Sequence, residues 1–182
     1  TVGAQEFKGD LYIALGSMIA KWDETNDVLD AVDFQGTVLT DIIAYEGDGT
    51  ARLYVARGGS AFRYSSNGTT WSSHAGTGLH PVGNLWARGR NSTGGYALFK
   101  GIKESASAGN GGISLSVDPT NATGWGTRIR VGDNDRDVTK LHLLGDLVLV
   151  GKEDGLFYYQ RVWPGTATAA ESFIDAAPEL NL

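Results

Sequence analysis

One short motif returns four times along this chain, and its period restricts the fold more than any other feature. Leu11-Tyr12-Ile13-Ala14-Leu15-Gly16 is repeated as Leu53-Tyr54-Val55-Ala56-Arg57-Gly58, and more loosely as Tyr96-Ala97-Leu98-Phe99-Lys100-Gly101. The segment Val2 to Ala14 also aligns with Val138 to Val150, matching Val2 with Val138, Gly9 with Gly145, Asp10 with Asp146 and Leu11 with Leu147. The anchors Leu11, Leu53, Tyr96 and Leu147 lie 42, 43 and 51 residues apart, so the 182 residues divide into four units, about 1–36, 37–79, 80–132 and 133–182. A fixed period of roughly 40 to 50 residues marks a repeat architecture in which each unit is one supersecondary element.

Within each unit, short runs of β-branched, aromatic and aliphatic residues alternate with Gly, Asn, Asp and Ser turns, the pattern of successive strands. Strands are expected near Val2 to Lys8, Leu11 to Leu15, Met18 to Asp23 and Leu29 to Phe34 in the first unit. In the second they fall near Thr40 to Tyr45, Arg52 to Arg57, Ala61 to Ser65 and Trp71 to Ser73. The third unit gives Leu85 to Arg88, Tyr96 to Lys100, Ile113 to Val117 and Thr127 to Val131. The fourth gives Val138 to Leu144, Leu147 to Val150, Leu156 to Gln160 and Glu171 to Ile174. The 26 glycines agree with a turn-rich β chain. Four strands at this period make the expected fold an all-β protein, a β-propeller of four-stranded blades with four blades in this chain. The second strands are almost continuously apolar, as strands covered on both faces are. In the fourth strand of unit three, Arg128 and Arg130 share a face and discourage edge pairing.

The stretch Tyr64-Ser65-Ser66-Asn67-Gly68-Thr69-Thr70-Trp71 resembles the Asp-box of sialidase-type (BNR-like) propellers. Gly68, Thr70 and Trp71 fit the pattern, and Ser66 stands where the family carries its Asp. Ser116-Val117-Asp118 followed by Gly124-Trp125 is a stretched echo, and Trp22 and Trp163 lie near the same place in units one and four. In that family the box joins third and fourth strands and is a folding element, so the resemblance implies architecture and assigns Trp71 to blade packing. Enzymes of the family use an arginine cluster, a Tyr–Glu nucleophile pair and an acid Asp. Here Arg52, Arg57, Arg63, Arg88, Arg90, Arg136 and Arg161 fall at unrelated positions within the units.

The constellation with metal-like spacing is Asp133, Asp135 and Asp137, whose alternating carboxylates suit calcium; as a solvated acidic turn they need no ion. His74, His80 and His142 stand in no ligand spacing; Lys140 and His142 share a strand face that would line a central channel. Asn67, Asn91 and Asn121 open glycosylation-type triplets in expected turns. A net charge of −6 with scattered cations leaves no basic stripe for nucleic acid. No apolar run approaches the roughly 20 residues of a membrane span, and no signal peptide is visible at the start. The absence of cysteine excludes disulfides, thiolate metal sites and cysteine nucleophiles.

The expected function is a non-enzymatic binding or assembly module, glycan- or protein-binding, on a secreted or virion surface. The alternative is a carbohydrate-active, sialidase- or glycosidase-like propeller enzyme. Each unit holds its own four strands and no disulfide ties first to last. A larger ring is therefore expected over a closed four-bladed one, completed by a second copy of the chain or by further sequence of a longer polypeptide.

Overall fold

The computed structural model describes residues 2–47, 49–75, 85–90, 95–102, 112–132, 137–145, 147–153, 155–160 and 172–175. Every element among them is a strand. Sheet 1 contains β1 (Gly3–Phe7), β2 (Asp10–Leu15), β3 (Met18–Asp23) and β4 (Val28–Phe34). Sheet 2 contains β5 (Leu39–Glu46), β6 (Ala51–Arg57), β7 (Ser60–Ser65) and β8 (Ser72–Ser73). Sheet 3 holds β9 (Leu85–Arg90), β10 (Tyr96–Ile102), β11 (Gly112–Ser116) and β12 (Ile129–Arg130). Sheet 4 holds β13 (Val138–Leu144), β14 (Leu147–Lys152), β15 (Gly155–Gln160) and β16 (Ser172–Asp175). All four are antiparallel meanders with strands paired in chain order. The protein is thus all-β, built from four four-stranded antiparallel sheets.

The hairpins follow from turn chemistry. Between β1 and β2, Lys8 and Gly9 have φ of 53° and 84°, and Phe7 and Asp10 close the ladder around them. Positive φ at both central residues gives the type I′ twist that suits right-twisted strands, and glycine takes it without steric cost. In sheet 4, Leu144 and Leu147 close the equivalent hairpin. Leu147 therefore corresponds in space to Asp10, and Val148 to Leu11. The alignment of Leu11 with Leu147 is off by one residue, which moves every side chain of β14 to the opposite face from the one expected.

The chain forms two compact units, one of Thr1–Asn84 with Thr120–Thr123, the other of Leu85–Pro119 with Gly124–Leu182. In the first unit, sheet 1 packs on sheet 2, with Phe7, Tyr12, Ala14 and Ile19 against Leu39, Ile42, Leu53, Val55 and Trp71. Trp71 is buried here as a packing residue. In the second unit, Ala87, Ala97, Phe99 and Ile113 of sheet 3 meet Val138, Leu141, Val148, Val150 and Tyr159 of sheet 4. The Phe99 and Tyr159 rings meet edge to face with centroids 5.0 Å apart. Truncating a residue as enclosed as Leu53 to Ala should cost about 2–5 kcal/mol.

Candidate functional site

Two constellations bring polar side chains together in the first unit. One is a cleft of about 410 Å³ at the end of sheet 1, between the β1–β2 and β3–β4 turns, lined by Asp10, Lys21, Trp22, Asp23, Glu24 and Asp30 among others. The register sets Lys21 beside Asp30, and the Lys21 ammonium reaches across to Asp10 Oδ2 at 2.8 Å. That hydrogen bond raises the Lys21 pKa. The β3–β4 turn hangs on Asp23, whose Oδ1 accepts from the Thr25 and Asn26 main-chain N–H groups at 2.8 and 3.2 Å. Its Oδ2 accepts from Asn26 Nδ2 at 2.7 Å. The Asn26 side chain, then the main-chain N–H donors, hold the Asp23 carboxyl below its ordinary value. A cleft with several carboxylates and one ammonium can offer hydrogen bonds to a hydroxyl-rich ligand.

The second constellation joins Arg57 and Arg63 to Asp33 and Gln35. Arg63 Nη1 donates to Asp33 Oδ2 at 3.0 Å and to Gln35 Oε1 at 3.1 Å, and its Nη2 donates to the Trp71 carbonyl at 2.8 Å. Arg57 donates to the Ala61 carbonyl at 3.1 Å and to the Gln35 carbonyl at 2.5 Å. Gln35 Nε2 donates in turn to Asp33. Burial, followed by the Arg63 charge, lowers the Arg57 pKa. The sequence reading set these arginines apart as unrelated. The signal that unites them is the Gly58-Gly59 turn, which folds β6 onto β7 and makes Arg63 the partner of Val55. Their terminal nitrogens are engaged by Asp33, Gln35 and main-chain carbonyls, so the pair acts as an internal clamp on the sheet 1–sheet 2 linker.

The links between third and fourth strands share a device. In the β7–β8 link, Asn67 Oδ1 accepts from the Thr69 and Thr70 N–H groups at 3.0 and 2.8 Å, while Ser65 Oγ accepts from Gly68 N–H at 2.8 Å. The side chain organising this turn is Asn67, one residue beyond the Ser66 singled out by sequence. In the β11–β12 link, Ser116 Oγ accepts from Asp118 N–H at 3.1 Å and donates to the Gly124 carbonyl at 2.7 Å. Trp125 Nε1 donates to the Pro119 carbonyl at 3.2 Å.

Of the calcium-spaced carboxylates, Asp133 and Asp135 lie outside the described residues and Asp137 is half-buried just before β13. Among the described residues no three His, Asp or Glu gather to hold a metal ion. His74 is buried with its ring 4.5 Å from that of Phe62 and its Nε2 3.2 Å from the Asn121 carbonyl; His80 lies outside the described residues. Lys140 and His142 are exposed on the face of sheet 4 turned away from sheet 3. Asn67 and Asn121 both stabilise turns, and Asn91 lies outside the described residues. No described helix is long and apolar enough to cross a membrane.

No protein-family model matches the chain, and no curated protein matches it. Among solved structures it is similar to the extracellular domain of a putative one-component system from B. thetaiotaomicron. The identity is 13% and the TM-score 0.61, over 98% of this chain and 23% of that one. At that identity the likeness is one of fold alone. The chain spans about a quarter of the length of that neighbour.

Proposed function

We propose that the four sheets are blades of a β-propeller and that the chain is a non-enzymatic binding or assembly module, secreted or surface-displayed, with the sheet 1 cleft taking a hydroxyl-rich ligand such as a glycan. The observation that carries the binding reading is the meeting of Asp10, Lys21, Asp23, Glu24 and Asp30 in one cleft. The repeated meander and the Asn67 and Ser116 turns support the Asp-box resemblance. The solved neighbour, an extracellular domain, agrees with display outside the cell. Glycan-array and calorimetric binding test this reading. Asp30→Ala should weaken a hit about tenfold or more, and binding unchanged by that substitution would sink the cleft as the site.

A carbohydrate-active enzyme is the second reading, favoured by the meeting of Asp10, Asp23, Glu24 and Asp30 in one cleft. Against it, no described arginine lines the cleft, Asp10 is held by Lys21, and Asp23 is shifted down where a general acid needs a raised value. Turnover of the bound glycan on the same preparation, abolished by Asp30→Asn, would establish the enzyme instead.

A further inference from the structure

Each compact unit contains one sheet-on-sheet joint, and both joints follow one rule. The side of a sheet carrying Tyr12 and Ala14, or Ala97 and Phe99, packs on the opposite side of the next sheet, carrying Leu53 and Val55, or Val148 and Val150. In each joint the first strand of one sheet lies against the first strand of the next, β1 on β5 and β9 on β13. Of the faces outside these two joints, one on sheet 1 and one on sheet 4, of opposite kinds, carry large exposed apolar residues.

On sheet 1 the leftover face is the one equivalent to the Leu53 side of sheet 2. Leu11, Trp22 and Leu29 form one row across it, and Leu15, Met18 and Phe34 form another. Leu53 is fully buried, yet its equivalent Leu11 is exposed, and Phe34 is 69% exposed. On sheet 4 the leftover face carries Leu144 paired with Leu147, Leu149 paired with Tyr158, and Leu156. Leu144 there is 58% exposed. An alternating strand normally turns such residues inward, and an apolar surface this continuous marks an interface.

The charges on these faces are opposite. Glu6 stands on β1 beside Leu11, and Lys140 stands on β13. Both are exposed and on first strands, the strands that abut in each existing joint.

We propose that the exposed face of sheet 4 docks on the exposed face of sheet 1 of a second copy of this chain, repeating between molecules the joint made within each unit, with Lys140 of one copy opposite Glu6 of the other. This deepens the assembly reading above and rests on it. The contact is heterologous, since different faces meet; it closes when both joints form between the same two copies and otherwise propagates. Apolar rows supply the affinity, while the Glu6–Lys140 pair sets the register.

Light-scattering mass of the purified chain from micromolar to hundreds of micromolar tests it. The expected mass is twice the monomer or more, falling on dilution. Leu147→Arg, on one face, and Phe34→Arg, on the other, should each raise the dissociation constant about 30-fold or more. Glu6→Lys and Lys140→Glu should each weaken association about three- to tenfold, and combining them should restore it. Circular dichroism confirms that each variant keeps its strands, and the exposed charge pair guards against loss of folding in the Arg variants. A chain that stays monomeric leaves both faces to further sheets of a longer polypeptide and overturns the proposal. Association insensitive to either face, or no restoration by the charge swap, overturns it too. Ligand binding assayed on Leu147→Arg, remote in sequence from the cleft residues, separates failure of this joint from failure of the binding reading.

Discussion

At the scale of single residues, Gly68 and Lys100 show opposite ways in which a side chain is constrained. Gly68 has φ of +80°, and a Cβ built on it would stand 2.0 Å from the Tyr12 hydroxyl. Gly49 has nearly the same φ, +78°, with nothing within 4 Å. Both should lose about 1–2 kcal/mol on substitution by Ala for left-handed strain. Gly68→Ala should lose a further 1–3 kcal/mol, roughly, for the forced displacement of Tyr12. Urea midpoints of the two variants measure the difference, and equal losses would show that Tyr12 yields freely.

Lys100 is fully buried with its ammonium 4.1 Å from the Trp125 ring centroid, and burial lowers its pKa to about 7. Between about pH 7 and the ordinary lysine value, the unfolded chain binds the proton that the folded chain has released. The Lys100 contribution to stability is therefore full above the unfolded value, falls with pH through that window, and is lowest below pH 7. Lys100→Met should accordingly stabilise the protein more at pH 6 than at pH 10, by a difference on the order of a few kcal/mol. Denaturation of wild type and variant at both pH values checks this; a difference independent of pH would refute it.

At the scale of elements, strand existence was legible because period-two patterning and turn residues coincide, and all sixteen expected strands are present with ends shifted by a few residues. Register was less legible. Gly9-Asp10 and Gly145-Asp146 look alike in sequence, but Asp10 already opens β2, whereas β14 opens at Leu147. Identity of residue type drew them together; the hairpin closing pair separates them. The same limit applied to Ser66 and Asn67, since only geometry tells which oxygen faces the two N–H groups. Asn67→Ala should cost about 1 kcal/mol, Asn67→Asp should retain most of the stability, and Ser66→Ala should change little. Thermal denaturation of the three variants would reverse the assignment if Ser66→Ala proved the costly one.

At the scale of the molecule, the candidate cleft was hard to read because its parts come from three strands, Asp10 of β2, Asp23 of β3 and Asp30 of β4, with no spacing motif to announce them. What repeats across the molecule instead is how a sheet is fastened to the linker before it. Arg57, at the end of the second strand of sheet 2, donates to the Gln35 carbonyl at 2.5 Å. Lys152, at the end of the second strand of sheet 4, donates to the Val131 carbonyl at 2.5 Å. Each links a charged donor to a main-chain acceptor, Arg57 in a partly buried place and Lys152 in a buried one, a bond contributing about 1.5–3 kcal/mol. The two fasteners belong to different compact units. Arg57→Met and Lys152→Met should each lower stability by about that amount, and the double variant should lose the sum to within about 0.5 kcal/mol. Chemical denaturation of the two singles and the double closes the cycle. A double variant departing from the sum by more than 1 kcal/mol, roughly, would mean that the joints are energetically coupled and that the chain is stabilised as one body.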